Sequence, residues 1–171
     1  MTSQMLTQGA TLQTIFSSQK MVVDRLLGGG GQGEVYLVKM NGKNMALKWY
    51  YPQTATKAQL EMLHRLTQKR QPSDRFLWPL DLVTYDRQNF TFGYVMELRP
   101  DRFKSIIDLM KQKIDPSFHA LATTGMHLAD SFFALHAEGL CYRDISFGNV
   151  FFDPINGDIL VCDNDNVAVD G

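Results

Sequence analysis

From Met21 onward the chain alternates between apolar and polar positions, and the alternation stops at recognisable punctuation. Residues 21–27 read as a strand, the glycine cluster 28–33 as its turn, and 34–40 as the return strand. Asn41-Gly42 is a two-residue hairpin signal, so residues 44–50 form a third strand, which Pro52 ends. The period then changes. Leu60, Leu63, His64 and Leu66 recur at spacings near three and four with charged flanks, which predicts a helix over 54–69. Pro72 and Pro79 bracket a loop, residues 80–85 and 90–98 are two more strands, and Pro100 breaks the second. Five strands with one helix after the third make a small antiparallel sheet plus helix, an α+β unit rather than a doubly wound sheet.

The remainder reads as helical. Residues 103–113 are a candidate helix. A longer one opens at Pro116 and runs to about Ala137, carrying Leu121, Gly125, Leu128, Phe132 and Leu135 at helical spacing. Gly139 is placed to stop it. A polar loop follows, then a strand over 150–152, an Asn156-Gly157 turn and a strand over 159–162. Three segments result: a polar extension over 1–20 rich in Ser, Thr and Gln, a sheet domain over 21–98, and a helical part over 99–171. No internal repeat and no low-complexity tract interrupts them.

Composition narrows the class. With 44% apolar residues in 171, a real core is expected. The net charge of −1, without blocks of like charge, does not suggest nucleic acid or an acidic membrane as a partner. Two cysteines, Cys141 and Cys162, make neither a disulfide framework nor a zinc site, which fits a reducing, cytoplasmic setting. No apolar run approaches the roughly 20 residues of a spanning helix. The first residues lack the layout of a signal peptide.

The candidate chemistry lies in the punctuation. Gly28, Gly30 and Gly33 form G-x-G-x-x-G, a backbone able to approach phosphates closely. A dinucleotide fold would follow it with a helix. Here a strand follows, and no Gly-Lys-Ser/Thr ending makes a Walker loop. Ala46 and Lys48 fall on one face of the third strand, and Glu61 is the only acid of the following helix. Further on stand Cys141-Tyr142-Arg143-Asp144-Ile145-Ser146-Phe147-Gly148-Asn149 and, after the last strand, Asp163. Any one of these residues is more commonly a solvated charge or a turn residue. Their ordered set meets the needs of phosphoryl transfer from ATP: a phosphate cradle, a base near the acceptor, and oxygens for magnesium.

This order and spacing resembles the protein kinase superfamily, in its eukaryotic-like bacterial form, from the glycine loop to just past Asp163. The resemblance implies a five-stranded N-lobe sheet with one helix, followed by the first part of a helical C-lobe. It implies ATP and Mg²⁺ as cofactors. Lys48 would reach the α- and β-phosphates and be held by Glu61, with Val35, Ala46 and Phe151 around the adenine. Met96 would be the gatekeeper and Glu97-Leu98-Arg99 the hinge. Asp144 would serve the acceptor hydroxyl with Arg143 bracing its loop, and Asn149 and Asp163 would hold the metal. The expected activity is transfer of the γ-phosphate to a hydroxyl, first of a protein Ser/Thr acceptor. The alternatives are a small-molecule kinase and a nucleotide-binding pseudokinase acting as a regulatory scaffold.

Departures are visible too. Tyr142 stands where the family has histidine, and Ser146 where Ser/Thr kinases have lysine. Asp163-Asn164-Asp165 replaces Asp-Phe-Gly, losing a packing ring and a flexible glycine. These features are similar to bacterial kinase-like proteins that accompany PP2C-type phosphatases and von Willebrand factor A domains. The chain ends soon after Asp163. The expectation is therefore a truncated kinase, inactive alone, whose missing C-lobe or a partner chain covers apolar surface on the helix over 118–135.

Overall fold

The alternation beginning at Met21 becomes a continuous antiparallel ribbon in the computed structural model, which describes residues 4–84 and 91–169. Tyr85, Phe90 and the chain end at Gly171 lie outside the described residues. The chain divides into two units, Met1–Arg70 with Trp78–Leu98 and Gln71–Leu77 with Arg99–Gly171.

The first unit holds β1 (Thr11–Gln13), β2 (Lys20–Gly29), β3 (Gly33–Met40), β4 (Lys43–Tyr50), β5 (Asp81–Thr84) and β6 (Phe92–Glu97). They form one sheet in the order β1-β2-β3-β4-β6-β5. Asn41 and Gly42 turn the chain between β3 and β4 with φ of 50° and 77°, the left-handed pair that a tight hairpin requires. Alternation then sorts the side chains. Tyr36, Val38, Met45, Leu47, Trp49 and Val95 enter one core cluster with Leu6, Leu12, Met21, Val23 and Val83. Register pairs Val35 with Lys48, Leu37 with Ala46, Ala46 with Met96 and Lys48 with Tyr94, so these residues share the opposite face.

The predicted helix over 54–69 is α1 (Lys57–Gln68). It starts late because Thr56 is its N-cap, accepting from Gln59 N, while the Thr54 hydroxyl donates to the carbonyls of Gln32 and Tyr51. Leu63 and Leu66 are its buried positions. Trp78 Nε1 donates to Leu66 O at 3.0 Å, satisfying a carbonyl of the last turn.

Residues 4–20, read from composition as a separate extension, are part of the first unit. Leu6 and Leu12 are buried in its core, and β1 pairs with β2, placing Leu12 opposite Met21. Thr14 then bridges Val83, and Ile15 N donates to Leu82 O at 2.8 Å. The expected five strands are therefore six, and the added segment joins β2 to β5. Two well-spaced leucines suffice for this in a segment too polar to show alternation.

Asp81 secures the crossing. It accepts from Phe16 N at 3.1 Å, Ser17 N at 2.9 Å, the Ser17 hydroxyl at 2.6 Å and Leu82 N at 2.7 Å. Burial alone would raise this carboxyl, but the Ser17 hydroxyl and the three amides outweigh it and hold Asp81 below its ordinary value. A folded value below the unfolded one contributes stability above the unfolded value of about 4, lost as pH falls through the folded one. Asp81→Asn is expected to flatten the loss of stability between neutral pH and pH 3, read as urea midpoints. An acid limb as steep as that of the wild type would show that Asp81 does not supply it.

The second unit contains β7 (Lys104–Ser105), α2 (Ile106–Met110), α3 (Phe118–Ala137), β8 (Leu140–Tyr142), β9 (Val150–Phe152), β10 (Ile159–Val161), a 3₁₀ turn (Asn164–Asn166) and β11 (Val167–Val169). They build two small sheets, β10-β9-β7 and β11-β8. The predicted helix over 103–113 shrinks to α2. Lys104 and Ser105 pair with β9 instead, Ser105 caps the helix through Asp108 N, and Gln112 adopts φ 54° just beyond it. α3 begins at the Ser117 cap and is followed by Gly139 at φ 66°. Its exposed apolar residues include Phe118 at 85% and Phe133 at 77%, as expected for the 118–135 surface. Among the described residues no helix is long and apolar enough to cross a membrane.

Candidate functional site

In the first unit the glycines divide by what the fold demands of them. A Cβ on Gly33 would lie 2.1 Å from Trp49 O, so close approach of β3 to β4 forces glycine there. A Cβ on Gly28 or Gly30 would meet no described atom within 4 Å, and neither has a positive φ. Nothing in the first unit's packing needs those two glycines, and they leave open space beside backbone N–H groups. Gly33→Ala is expected to destabilise the chain by about 1–3 kcal/mol, whereas Gly30→Ala should stay within about 0.5 kcal/mol. Urea denaturation of both variants checks this, and equal losses would remove the distinction.

Lys48 is buried on β4. Its Nζ donates to Gln32 Oε1 at 3.1 Å and lies 5.5 Å from the Tyr50 ring centroid. Gln32 is itself pinned, its carbonyl accepting from Tyr51 N at 3.0 Å and from Thr54 Oγ1. Nothing in the sequence marked Gln32, which read only as filler between glycines. Ala46 and Met96 are buried on the Lys48 face. Val35 is half-buried there, Glu97 is exposed at the end of β6, and Leu98 beyond it is half-buried.

The expected Lys48–Glu61 pair is not formed. Glu61 is exposed, and its carboxylate makes neither a hydrogen bond nor an ion pair among the described residues. The cause is helical phase. α1 buries Leu63 and Leu66, and Glu61 is two residues before Leu63, about 200° around the helix at 3.6 residues per turn.

In the second unit the loop after β8 brings two predicted residues together. Asn149 Nδ2 donates to Asp144 Oδ2 at 3.1 Å and to Asp144 O at 2.9 Å. That orientation directs the amide nitrogen at Asp144 and leaves Oδ1 as the pole a cation could use. Asn149 O accepts from Cys162 N at 2.8 Å, tying this loop to the residue before Asp163. The Arg143 side chain is exposed, and the residue's brace is its backbone N–H, which donates to Asn166 O at 3.2 Å. Burial, then the charges of Asp163, Asp165, Cys162 and Asp144, push the Tyr142 phenol far above its usual range, so it stays a neutral donor. Burial likewise pushes the Cys162 thiol up to about 12.

Also in the second unit is an open cavity of about 490 Å³ lined by Arg99, Asp101, Phe103, Lys104, Ser105, Asp108 and Phe151. The Arg99 guanidinium sits 4.2 Å from the centroid of Phe151, covering one face of that ring. Among the described residues no three His, Cys, Asp or Glu side chains form a ready metal cage. Asn149 and Asp163, the residues expected to hold metal, would offer oxygen only, the ligand type a hard cation such as Mg²⁺ takes alongside water and phosphate oxygens.

No protein-family profile and no curated protein matches the chain. Solved structures do. The chain is 24% identical to the PknI kinase domain of M. tuberculosis at a TM-score of 0.69, over 94% of this chain and 61% of that one. A second crystal structure of the PknI kinase domain gives 22% and 0.65, over 95% and 64%. The BubR1 kinase domain gives 20% and 0.61, over 98% and 53%. The chain has a protein kinase-like fold and spans less than two thirds of the length of these kinase domains.

Proposed function

We propose that this chain is the nucleotide-binding part of an ATP-dependent phosphotransferase that moves the γ-phosphate to a hydroxyl, with a protein Ser/Thr acceptor as the first candidate. The observation that carries the reading is the direct Asn149–Asp144 side-chain bond, on a loop tied by Asn149 O to the residue preceding Asp163. It brings Asp144 and Asn149 together, the pair to which this reading assigns the base and one metal ligand. Mg²⁺ held by Asn149 and Asp163 would neutralise charge on the phosphates.

In this reading Lys48 holds the α- and β-phosphates after exchanging Gln32 Oε1 for them, and the open backbone at Gly28 and Gly30 lies along the triphosphate. Asp144 orients the acceptor hydroxyl and takes its proton. Arg99 and Phe151 carry the base and ribose side. Positioning and electrostatics, rather than covalent chemistry, supply the rate.

A second reading, a nucleotide-binding regulatory module without transfer, is favoured by the exposed Glu61, since the lysine–glutamate pair is required in active protein kinases. A small-molecule acceptor is the nearest enzyme alternative, because Ser146 stands where Ser/Thr kinases have a lysine. The first test is thermal unfolding with and without Mg²⁺-ATP. At about 100 times its dissociation constant, ATP should stabilise the chain by about 2.7 kcal/mol. A midpoint unmoved at millimolar Mg²⁺-ATP would count against any nucleotide site. Phosphotransfer by the full-length protein to Ser/Thr peptides or to small hydroxyl compounds then separates the readings.

A further inference from the structure

The two departures around Asp163 meet in space. Asn164 is fully buried, and its Nδ2 donates to Leu77 O at 2.7 Å and to Val161 O at 2.9 Å. The Tyr142 hydroxyl donates to Cys162 O at 2.6 Å and lies 3.4 Å from Asp163 O. Between these anchors Asp163 takes φ 53° and ψ 44°, a left-handed conformation that costs an ordinary residue about 1 kcal/mol and persists only where surrounding bonds fix it. The bonds are present on both sides. Cys162 N donates to Asn149 O, Asn166 N donates to Asp163 O, and Arg143 N donates to Asn166 O.

We infer that Tyr142 and Asn164 are paired positioning residues that latch the backbone of Asp163, so that its carboxylate is presented by a fixed segment rather than a switchable one. The inference rests on the phosphotransfer reading for its purpose, but the latch itself is a property of the second unit. A phenylalanine at 164 would fill space and leave Leu77 O without this donor. Asparagine bonds both carbonyls. Histidine at 142 would not place a phenolic donor at Cys162 O. The polar replacements thus do by hydrogen bonding what a packed ring would do by shape. The anchor at Leu77 is long-range, 87 positions from Asn164, so the turn is tied to chain outside its own hairpin. Asn164 Oδ1 is buried with no hydrogen-bond partner. That unmade acceptor carries a desolvation cost, which the two carbonyl bonds of the same amide offset only in part.

The test uses Asn164→Leu, close in volume but unable to bond the two carbonyls, and Tyr142→Phe, which removes one oxygen. Amide hydrogen exchange is measured on the ligand-free whole chain. Exchange at residues 163–167 is expected to accelerate in both variants while β2 to β4 keep their protection. With ATP present and Mn²⁺ as the metal probe, Mn²⁺ affinity should weaken by about tenfold or more, as for other lost supports of a metal ligand. Metal-free ATP affinity should hold. Unchanged exchange at 163–167 in a folded variant would overturn the latch. Faster exchange with wild-type Mn²⁺ affinity would overturn its role in presenting Asp163. If the wild type binds no ATP in either condition, the phosphotransfer reading and the latch's purpose both fail, while the exchange data still decide whether the latch holds the segment. Tyr142→Phe keeps the ring and guards against misreading a folding defect of Asn164→Leu.

Discussion

Asp163→Ala is expected to abolish the magnesium-dependent part of the stabilisation that ATP gives this chain, a loss approaching about 2.7 kcal/mol with ATP at about 100 times its dissociation constant. The expectation follows from ligand chemistry. Mg²⁺ binds through one or two carboxylates plus phosphate oxygens, and in the proposed pair Asp163 brings the only carboxylate, Asn149 being neutral. Asp163 also sits at φ 53°, where alanine is strained. Asp163→Asn is therefore the companion variant, since asparagine tolerates that conformation and lacks only the charge. Both should lose the magnesium effect, and Asn should keep more of the ligand-free stability. Lys48→Ala should weaken ATP with or without metal, because it removes a phosphate contact rather than a metal ligand. A full magnesium-dependent shift in Asp163→Asn would show that the metal is held elsewhere.

The second large effect is structural. Trp49→Ala is expected to destabilise the chain by about 3–5 kcal/mol, the range for truncating a buried aromatic residue. Trp49 is 1% exposed in the core cluster, on β4 between Glu34 of β3 and Gly93 of β6. A Cβ on Gly93 would fall 2.8 Å from the indole, so the ring lies directly against that glycine. Little there can collapse into the space an alanine leaves. Against the usual 5–15 kcal/mol of a folded domain the loss is a large fraction. Urea denaturation measures it, with Trp78 as the one remaining indole fluorophore. A cost under about 1 kcal/mol would mean that the indole is not part of the core.

The strongly periodic elements were legible from sequence because one face of each meets a core. β2 to β6 follow alternation, α1 and α3 follow helical spacing with Thr56 and Ser117 as caps, and β9 and β10 flank an Asn-Gly turn. β8 and β11 have three residues each, too few for a period to show, and they exist because they pair with each other. β1 was hidden for the opposite reason. Its segment is polar, and what orders it is distant: β2, Asp81 and the tyrosine of β3, whose hydroxyl accepts from Leu6 N at 3.0 Å. The candidate site shows the same limit. Lys48, Asp144, Asn149 and Asp163 were found by order and spacing. Glu61 is the only acid of the helix after the Lys48 strand, but the helix phase turns it outward. Gln32 and Asn164 carried no signal as partners, because an uncharged amide reveals its role only through the carbonyls or amine it reaches.

The segment joining β2 to β5 also limits how the first unit can recognise other chains. A sheet's outermost strands ordinarily offer bare N–H and C=O groups, and many proteins capture extended peptides by letting them dock there as an extra strand. Here β2 is already paired by residues 11–13 and β5 is already met by Thr14 and Ile15. A peptide seeking that backbone ladder would first have to peel away residues that bury Leu12 and bond Asp81. The protein's own residues 11–15 thus occupy the ladder positions opposite residues 20–22 of β2 and 82–83 of β5.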